Sequence, residues 1–189
     1  MTERENVKIL AIVGLTGAGK SSVVEYLTSK GYPKVHFGSV ILNALKEEGL
    51  EPTLENEKMM REKLRQQQGE DVVVQRIIAQ LHHLIDAGQH HIIADGMGAW
   101  YAYRTLKHEF PGELTTVALT TPRHARHHRL TKRIERPLTE VQADQRDYDE
   151  IERLNKGGVI AIADYFVSNE GTVDELHEKI DDLLRKINF

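Results

Sequence analysis

The run Gly14-Leu15-Thr16-Gly17-Ala18-Gly19-Lys20-Ser21 has the residue types and spacing to hold a chain of phosphates. It fits G-x-x-x-x-G-K-[ST] in full, and each part has a physical task. Glycines let the backbone turn sharply and aim several N–H groups inward. A helix starting just after the turn adds partial positive charge. A lysine in the place of Lys20 reaches β- and γ-phosphates, and a hydroxyl in the place of Ser21 can ligate Mg²⁺. The expected ligands are ATP and Mg²⁺, bound through Gly14, Thr16, Gly17, Ala18, Gly19, Lys20 and Ser21, with Ser22 following.

Two further groups fit phosphate chemistry. Ile92-Ile93-Ala94-Asp95-Gly96 reads as a buried strand ending in a carboxylate. In that place Asp95 could hold the Mg²⁺ shell or orient an acceptor hydroxyl. Arg123, Arg126, Arg129, Lys132, Arg133 and Arg136 then form a basic stretch whose only acid is Glu135. Phosphoryl transfer asks for positioned positive charge around the moving group. Arg126, Arg129 and Arg133 are three and four apart and share one helix face, as a lid over ATP would need. Arg129 and Arg133 are the first choices within it, and Arg146 is a weaker candidate on the next helix.

Strands and helices must position these groups. Lys8–Val13 is a short apolar run, as a strand buried on both faces reads, and a helix is expected over Lys20–Ser29, closed by Gly31. Val35–Phe37 suggests a short second strand. Val40, Ile41, Ala44 and Leu45 have helical spacing. Leu54–Gln68 reads as a polar surface helix with Met60 and Leu64 on one side. Val74, Ile77, Ile78, Leu81, Leu84 and Ile85 make a full helical stripe ending at Gly88. His91–Ala94, Thr115–Leu119 and Tyr165–Val167 read as further strands, and Arg123–Arg133 as the basic helix. Thr139 with Gln142, and Thr172 with Glu175, are capping boxes opening two later helices. This alternation predicts an α/β fold around a parallel sheet. Gly14 and Asp95 then fall at the carboxyl ends of strands, where ligands sit in such sheets.

The chain has 189 residues, 40% hydrophobic and 29% charged, with no cysteine. That suits one domain with a real core and rules out disulfides and thiolate metal sites. No apolar run approaches the roughly 20 residues of a membrane span. The charged start, Met1 to Asn6, lacks a signal peptide's apolar stretch. A cytoplasmic protein with no membrane partner is expected. A net charge of −4 makes nucleic acid an unlikely partner despite the basic stretch.

With these residues in place, the chain resembles the P-loop kinase group that contains dephospho-CoA kinases and adenylate-kinase-like nucleotide kinases. Within it the chain is most similar to a mainly archaeal family named as dephospho-CoA-kinase-related. The matching stretches are Gly14–Ser21, Gly49-Leu50-Glu51-Pro52-Thr53 with Asn56, Leu64-Arg65 with Gly69, and Asp95-Gly96. Further on they are the arginine-rich lid, Arg146-Asp147, and Ala163-Asp164-Tyr165 with Asn169-Glu170-Gly171. The resemblance implies a three-layer P-loop NTPase fold with a mainly parallel five-stranded sheet. Its core would be residues 1–37 and 88–189, with an acceptor-binding helical insertion at about 38–87 and a lid at about 123–150. It places Asn169 and Gly171 beside adenine. The chain departs from the group on the acceptor side. Gly38-Ser39-Val40-Ile41-Leu42 and Gly96-Met97-Gly98-Ala99-Trp100 lack arginines that would grip an acceptor phosphate. Arg61, Arg65, Arg76 and Arg104 are possible substitutes. Trp100, Tyr101 and Tyr103 could stack on a base or pack beneath a loop.

The expectation is an ATP-dependent small-molecule kinase acting on a nucleotide-like acceptor, a nucleoside monophosphate or a dephospho-CoA-like molecule. Lys20, Asp95, Arg129 and Arg133 would be its catalytic groups, and Ser21 and Asp95 its metal ligands. The missing acceptor arginines keep a second reading open: a nucleotide-dependent switch or weak ATPase acting through a protein partner.

Overall fold

A computed structural model describes residues 6–189. The charged start, as far as Glu5, lies outside the described residues. The central strand β1, Lys8–Val13, alternates its side chains between two cores. Ile9, Ala11 and Val13 enter one core, and Leu10 and Ile12 the other. A strand buried on both faces has to be apolar throughout, which is why the run reads as continuous.

Five strands form one sheet in the order β2-β3-β1-β4-β5, and every pairing is parallel. The other strands are β2 (Lys34–His36), β3 (His91–Asp95), β4 (Leu114–Thr120) and β5 (Tyr165–Ser168), and β1 itself pairs with β3 and β4. On one face, helices α1 (Lys20–Ser29) and α9 (Val173–Ile187) cover Leu10, Ile12 and Ile93. On the other, α4 (Val72–Asp86) and α5 (Trp100–Glu109) cover Ile9, Ala11 and Ile92. The result is the three-layer α/β architecture expected, with its parallel sheet covered on both faces.

Helices α2 (Phe37–Glu47), α3 (Leu54–Gln68) and α4 share a smaller core of Ile41, Ala44, Leu45, Met60, Leu64 and Val72. The otherwise polar α3 packs through Met60 and Leu64, as their spacing predicts. The basic helix α6 (Arg123–Lys132) is followed by α7 (Glu140–Glu152) and the short α8 (Lys156–Ala161). Both capping boxes form, Thr139 with Gln142 at α7 and Thr172 with Glu175 at α9.

Helices α5 and α8 are additions to the sequence reading. Ala99, which precedes α5, caps nothing with its side chain, and two of the six residues of α8 are glycine. Neither helix announces itself by a cap or a long stripe. Trp100 and Tyr103 stack on each other at 5.7 Å and pack on the core. These aromatics therefore serve packing.

The Ala163-Asp164-Tyr165 run has a structural task. Asp164 Oδ2 accepts from the Thr116 N–H at 2.7 Å and the Thr116 hydroxyl at 2.8 Å, locking the start of β5 beside β4.

Candidate functional site

The loop from Gly14 to Gly19 crosses the carboxyl end of β1 and delivers the chain into α1. Gly19 caps that helix with φ 99°, a left-handed conformation. A Cβ there would also come within 2.2 Å of Asn169 Nδ2. No side chain caps α1, and its first turn carries no acid. Its first N–H groups have no intrahelical partner, as in any helix, so they remain available to an anion. Asn169 is buried and donates from Nδ2 to the Ala18 carbonyl at 2.8 Å, tying the loop to the end of β5.

Lys20 donates to two loop carbonyls, Gly14 at 2.8 Å and Leu15 at 3.0 Å. Burial and the neighbouring Lys156 lower its pKa to about 8, against the opposite pull of Glu150 and Asp95. A buried ammonium with a depressed pKa is short of negative charge, which a phosphate would supply.

On the β4 side, α6 faces the loop across a cavity of about 340 Å³. Thr16, Gly17, Gly19, Lys20 and Ser21 line it from the loop, and Arg129, Leu130 and Arg133 from the helix. Arg129 donates from one nitrogen to the Asn169 carbonyl at 3.0 Å. Its other terminal nitrogen, Nη1, is buried with no hydrogen-bond partner among the described residues. Arg133 is exposed and donates to the Arg136 carbonyl at 2.5 Å. Ser22 is half-buried in the first turn of α1. Gly171 is exposed beside the Thr172 capping box, with Glu175 filling the space where a Cβ would be.

Arg126 also meets the phosphate loop, but a carboxylate of the next helix holds its guanidinium. It is 5% exposed and forks onto Asp147 of α7 at 2.6 and 2.8 Å. It also donates to the Thr16 carbonyl at 3.1 Å. A Cβ on Gly17 would lie 2.9 Å from the Arg126 carbonyl oxygen, so the loop and α6 touch backbone to side. Burial pushes the Asp147 carboxyl up, but Arg126 and His127 together hold it below its ordinary value. Arg126 is thus a brace between loop, α6 and α7.

On the β3 side, Asp95 ends its strand with Oδ2 2.9 Å from His36 Nδ1. Beside it lies a cluster of which sequence reasoning singled out only Arg146. Glu150 of α7 is wholly buried and accepts from the Thr16 N–H at 2.9 Å and the Thr16 hydroxyl at 2.6 Å. Lys156 reaches the same carboxylate at 2.7 Å, and Arg146 approaches at 3.3 Å. Burial raises the Glu150 pKa, but Lys156 and Thr16 outweigh it and the net shift is downward. The sequence signals were faint: an i, i+4 Arg146–Glu150 pair, and a lysine before Gly157-Gly158. Two suggested substitutes pair with neighbours in and between α3 and α4, Arg65 at 3.7 Å from Glu70 and Arg76 donating to Gln68 at 2.9 Å.

Among the described residues no helix is long and apolar enough to cross a membrane. Residues 10–155 match the AAA domain family. The chain is 32% identical to a UPF0200 protein of Thermococcus gammatolerans, over 95% of each chain. Its fold is similar to that of shikimate kinase from Bacteroides thetaiotaomicron, with a TM-score of 0.59, 13% identity, and coverage of 94% of this chain and 98% of that one. It is also similar to dephospho-CoA kinase from Campylobacter jejuni, with a TM-score of 0.55, 14% identity, and coverage of 95% and 97%. These two likenesses establish a P-loop kinase-like fold.

Proposed function

This chain belongs to the UPF0200 family, and we propose that it works as an ATP-dependent small-molecule kinase that moves the γ-phosphate to a nucleotide-like acceptor. The observation that carries this reading is the cavity of about 340 Å³ between the phosphate loop and α6, with an unpartnered Arg129 nitrogen buried beside it. A buried guanidinium nitrogen without an acceptor is costly, and a phosphate oxygen is a fitting partner.

The roles follow from placement. The N–H groups of Gly17, Gly19, Lys20, Ser21 and Ser22 wrap the phosphates, with Gly14, Thr16 and Ala18 shaping the turn. Lys20 leaves its two loop carbonyls for the β- and γ-phosphates. Arg129 and Arg133 neutralise charge on the transferring group. Asn169 and Gly171 border the adenine. Among the described residues no group of three or more His, Asp or Glu side chains gathers to hold a metal unaided. Mg²⁺ characteristically combines few protein ligands with substrate phosphates, and Ser21 and Asp95 would be those ligands. Bound there, it would screen charge between the β- and γ-phosphates. Asp95 also stands where an acceptor can be oriented or deprotonated.

A coupled assay for ADP tests the reading. Acceptor-dependent ADP formation with Mg²⁺ is expected from the native protein, reduced at least about 100-fold in Lys20→Ala. ADP formation that no acceptor stimulates would replace it with the nucleotide-dependent switch or weak ATPase, and ADP formation that survives Lys20→Ala would take the phosphate loop out of the chemistry.

A further inference from the structure

The phosphate loop has two sides. In the sheet, β1 lies between β4 and β3, so the loop after β1 has the segment leaving β4 on one side and the segment leaving β3 on the other. On the β4 side stand α6 and its arginines, facing the cavity already described. On the β3 side stand Asp95 and the turn Gly96-Met97-Gly98, and here the sequence lacks an arginine.

Lys156 occupies that ground. A Cβ built on Gly98 would lie 2.5 Å from Lys156 Cε, so the glycine is what lets the lysine cross the turn. The side chain is 15% exposed, and its ammonium rests on Glu150, which itself holds Thr16 of the phosphate loop. Arg146 approaches the same carboxylate from α7. Lys156 and Arg146 therefore converge on one carboxylate beside the phosphate loop. Glu150 there is engaged by Thr16 and Lys156, and Asp95 stands 2.9 Å from His36 Nδ1.

Resting on the kinase reading above, we propose that Lys156 and Arg146 form the acceptor subsite and that the acceptor is a phosphomonoester whose own phosphate is the nucleophile. An oxygen of the acceptor phosphate forms a new bond to the γ-phosphorus of ATP. The bond from that phosphorus to the β–γ bridging oxygen breaks, and ADP leaves with the electron pair. ATP⁴⁻ and R–OPO₃²⁻ become ADP³⁻ and R–OP₂O₆³⁻, six negative charges on each side, with no proton released. A hydroxyl acceptor would instead have to give up a proton to a base, whereas an acceptor phosphate asks for the positive charge that Lys156 and Arg146 supply. In this chemistry Asp95 orients groups, and Lys156 stands in for the arginine missing after Gly96. Glu150 holds Lys156 ready and passes its position to the loop through Thr16.

The test pairs phosphomonoesters with the same molecules lacking the phosphate, using γ-labelled ATP and Mg²⁺, and reads products by mass. Label in a new diphosphate is expected. Lys156→Met should raise the KM for the phosphomonoester by about 10- to 100-fold, the loss of one charge-assisted contact, with the Kd for ATP within about twofold. Lys156→Arg should recover most of that loss. Because Lys156→Met takes the nearer of two cations from the buried Glu150, the double variant Lys156→Met with Glu150→Gln removes both charges of that pair, and the same KM defect is expected from it. Label only in the dephosphorylated partners would overturn this assignment while leaving the kinase reading standing. An unchanged acceptor KM in both Lys156→Met variants would also overturn it. ATP binding with no transfer to either panel would remove the kinase reading and this proposal together.

Discussion

Burial and the charge of Lys156 bring Lys20 from an ordinary 10.5 down to about 8. A shift of that size corresponds to about 3 kcal/mol against the charged form in the folded protein. Between pH about 8 and about 10.5 the unfolded chain holds more protons than the folded one, so this group makes stability rise with pH across that window. Below about pH 8 the folded protein carries the charged lysine at its full cost, and phosphates would relieve it. Lys20→Met should therefore stabilise the nucleotide-free protein by about 1 kcal/mol at pH 7, the lost carbonyl contacts offsetting part of the gain. It should also weaken ATP binding at least about tenfold. Denaturant titration checks the first effect and calorimetry the second. In the native protein, ATP affinity should fall as the pH rises through about 8, where the free lysine loses its charge. A flat calorimetric profile from pH 7 to 9 would show that Lys20 does not titrate there.

The junction of α6 and α7 is where single-residue reasoning fails and element packing decides. Spacing puts Arg126 on one face with Arg129 and Arg133, but Asp147, from the next helix, captures it. Asp147→Asn leaves a buried guanidinium without its counter-charge and should cost about 3 kcal/mol in denaturant unfolding. The Asp147 carboxyl is depressed in the folded state, so its contribution is present above about pH 4 and is lost as pH falls through the lower folded value. Most elements were legible because one-dimensional signals are enough for them. The apolar run of β1, the stripe of α4 and the two capping boxes each act within a few residues. The α5 and α8 helices were not, because Ala99 offers no cap and Gly157-Gly158 reads as a turn. What holds them is contact with distant chain, such as Trp100 packed close over Gly158.

Across the whole molecule, the site is assembled from the carboxyl ends of three adjacent parallel strands, β3, β1 and β4, with α6, α7 and α8 folded back over them. The loop residues and Arg129 could be read in advance because a motif or a charge run marks them. Glu150 and Lys156 could not, since a lone acid and a lone lysine look like surface residues until the fold buries them. A ligand that ties these elements together should stabilise all of them. Mg²⁺–ATP at 100 times its Kd adds about 2.7 kcal/mol, which for a chain of this size is about 5–10 °C in Tm. Scanning calorimetry would show it, and no shift at saturating nucleotide would argue against binding at the loop. The most direct test of the central claim follows the γ-phosphate itself. The protein is incubated with γ-labelled ATP, Mg²⁺ and a panel of nucleosides, nucleoside monophosphates and dephospho-CoA. The account predicts label in an acceptor, lost in Lys20→Ala. Label released only as inorganic phosphate, or kept on tightly bound ATP, would contradict it.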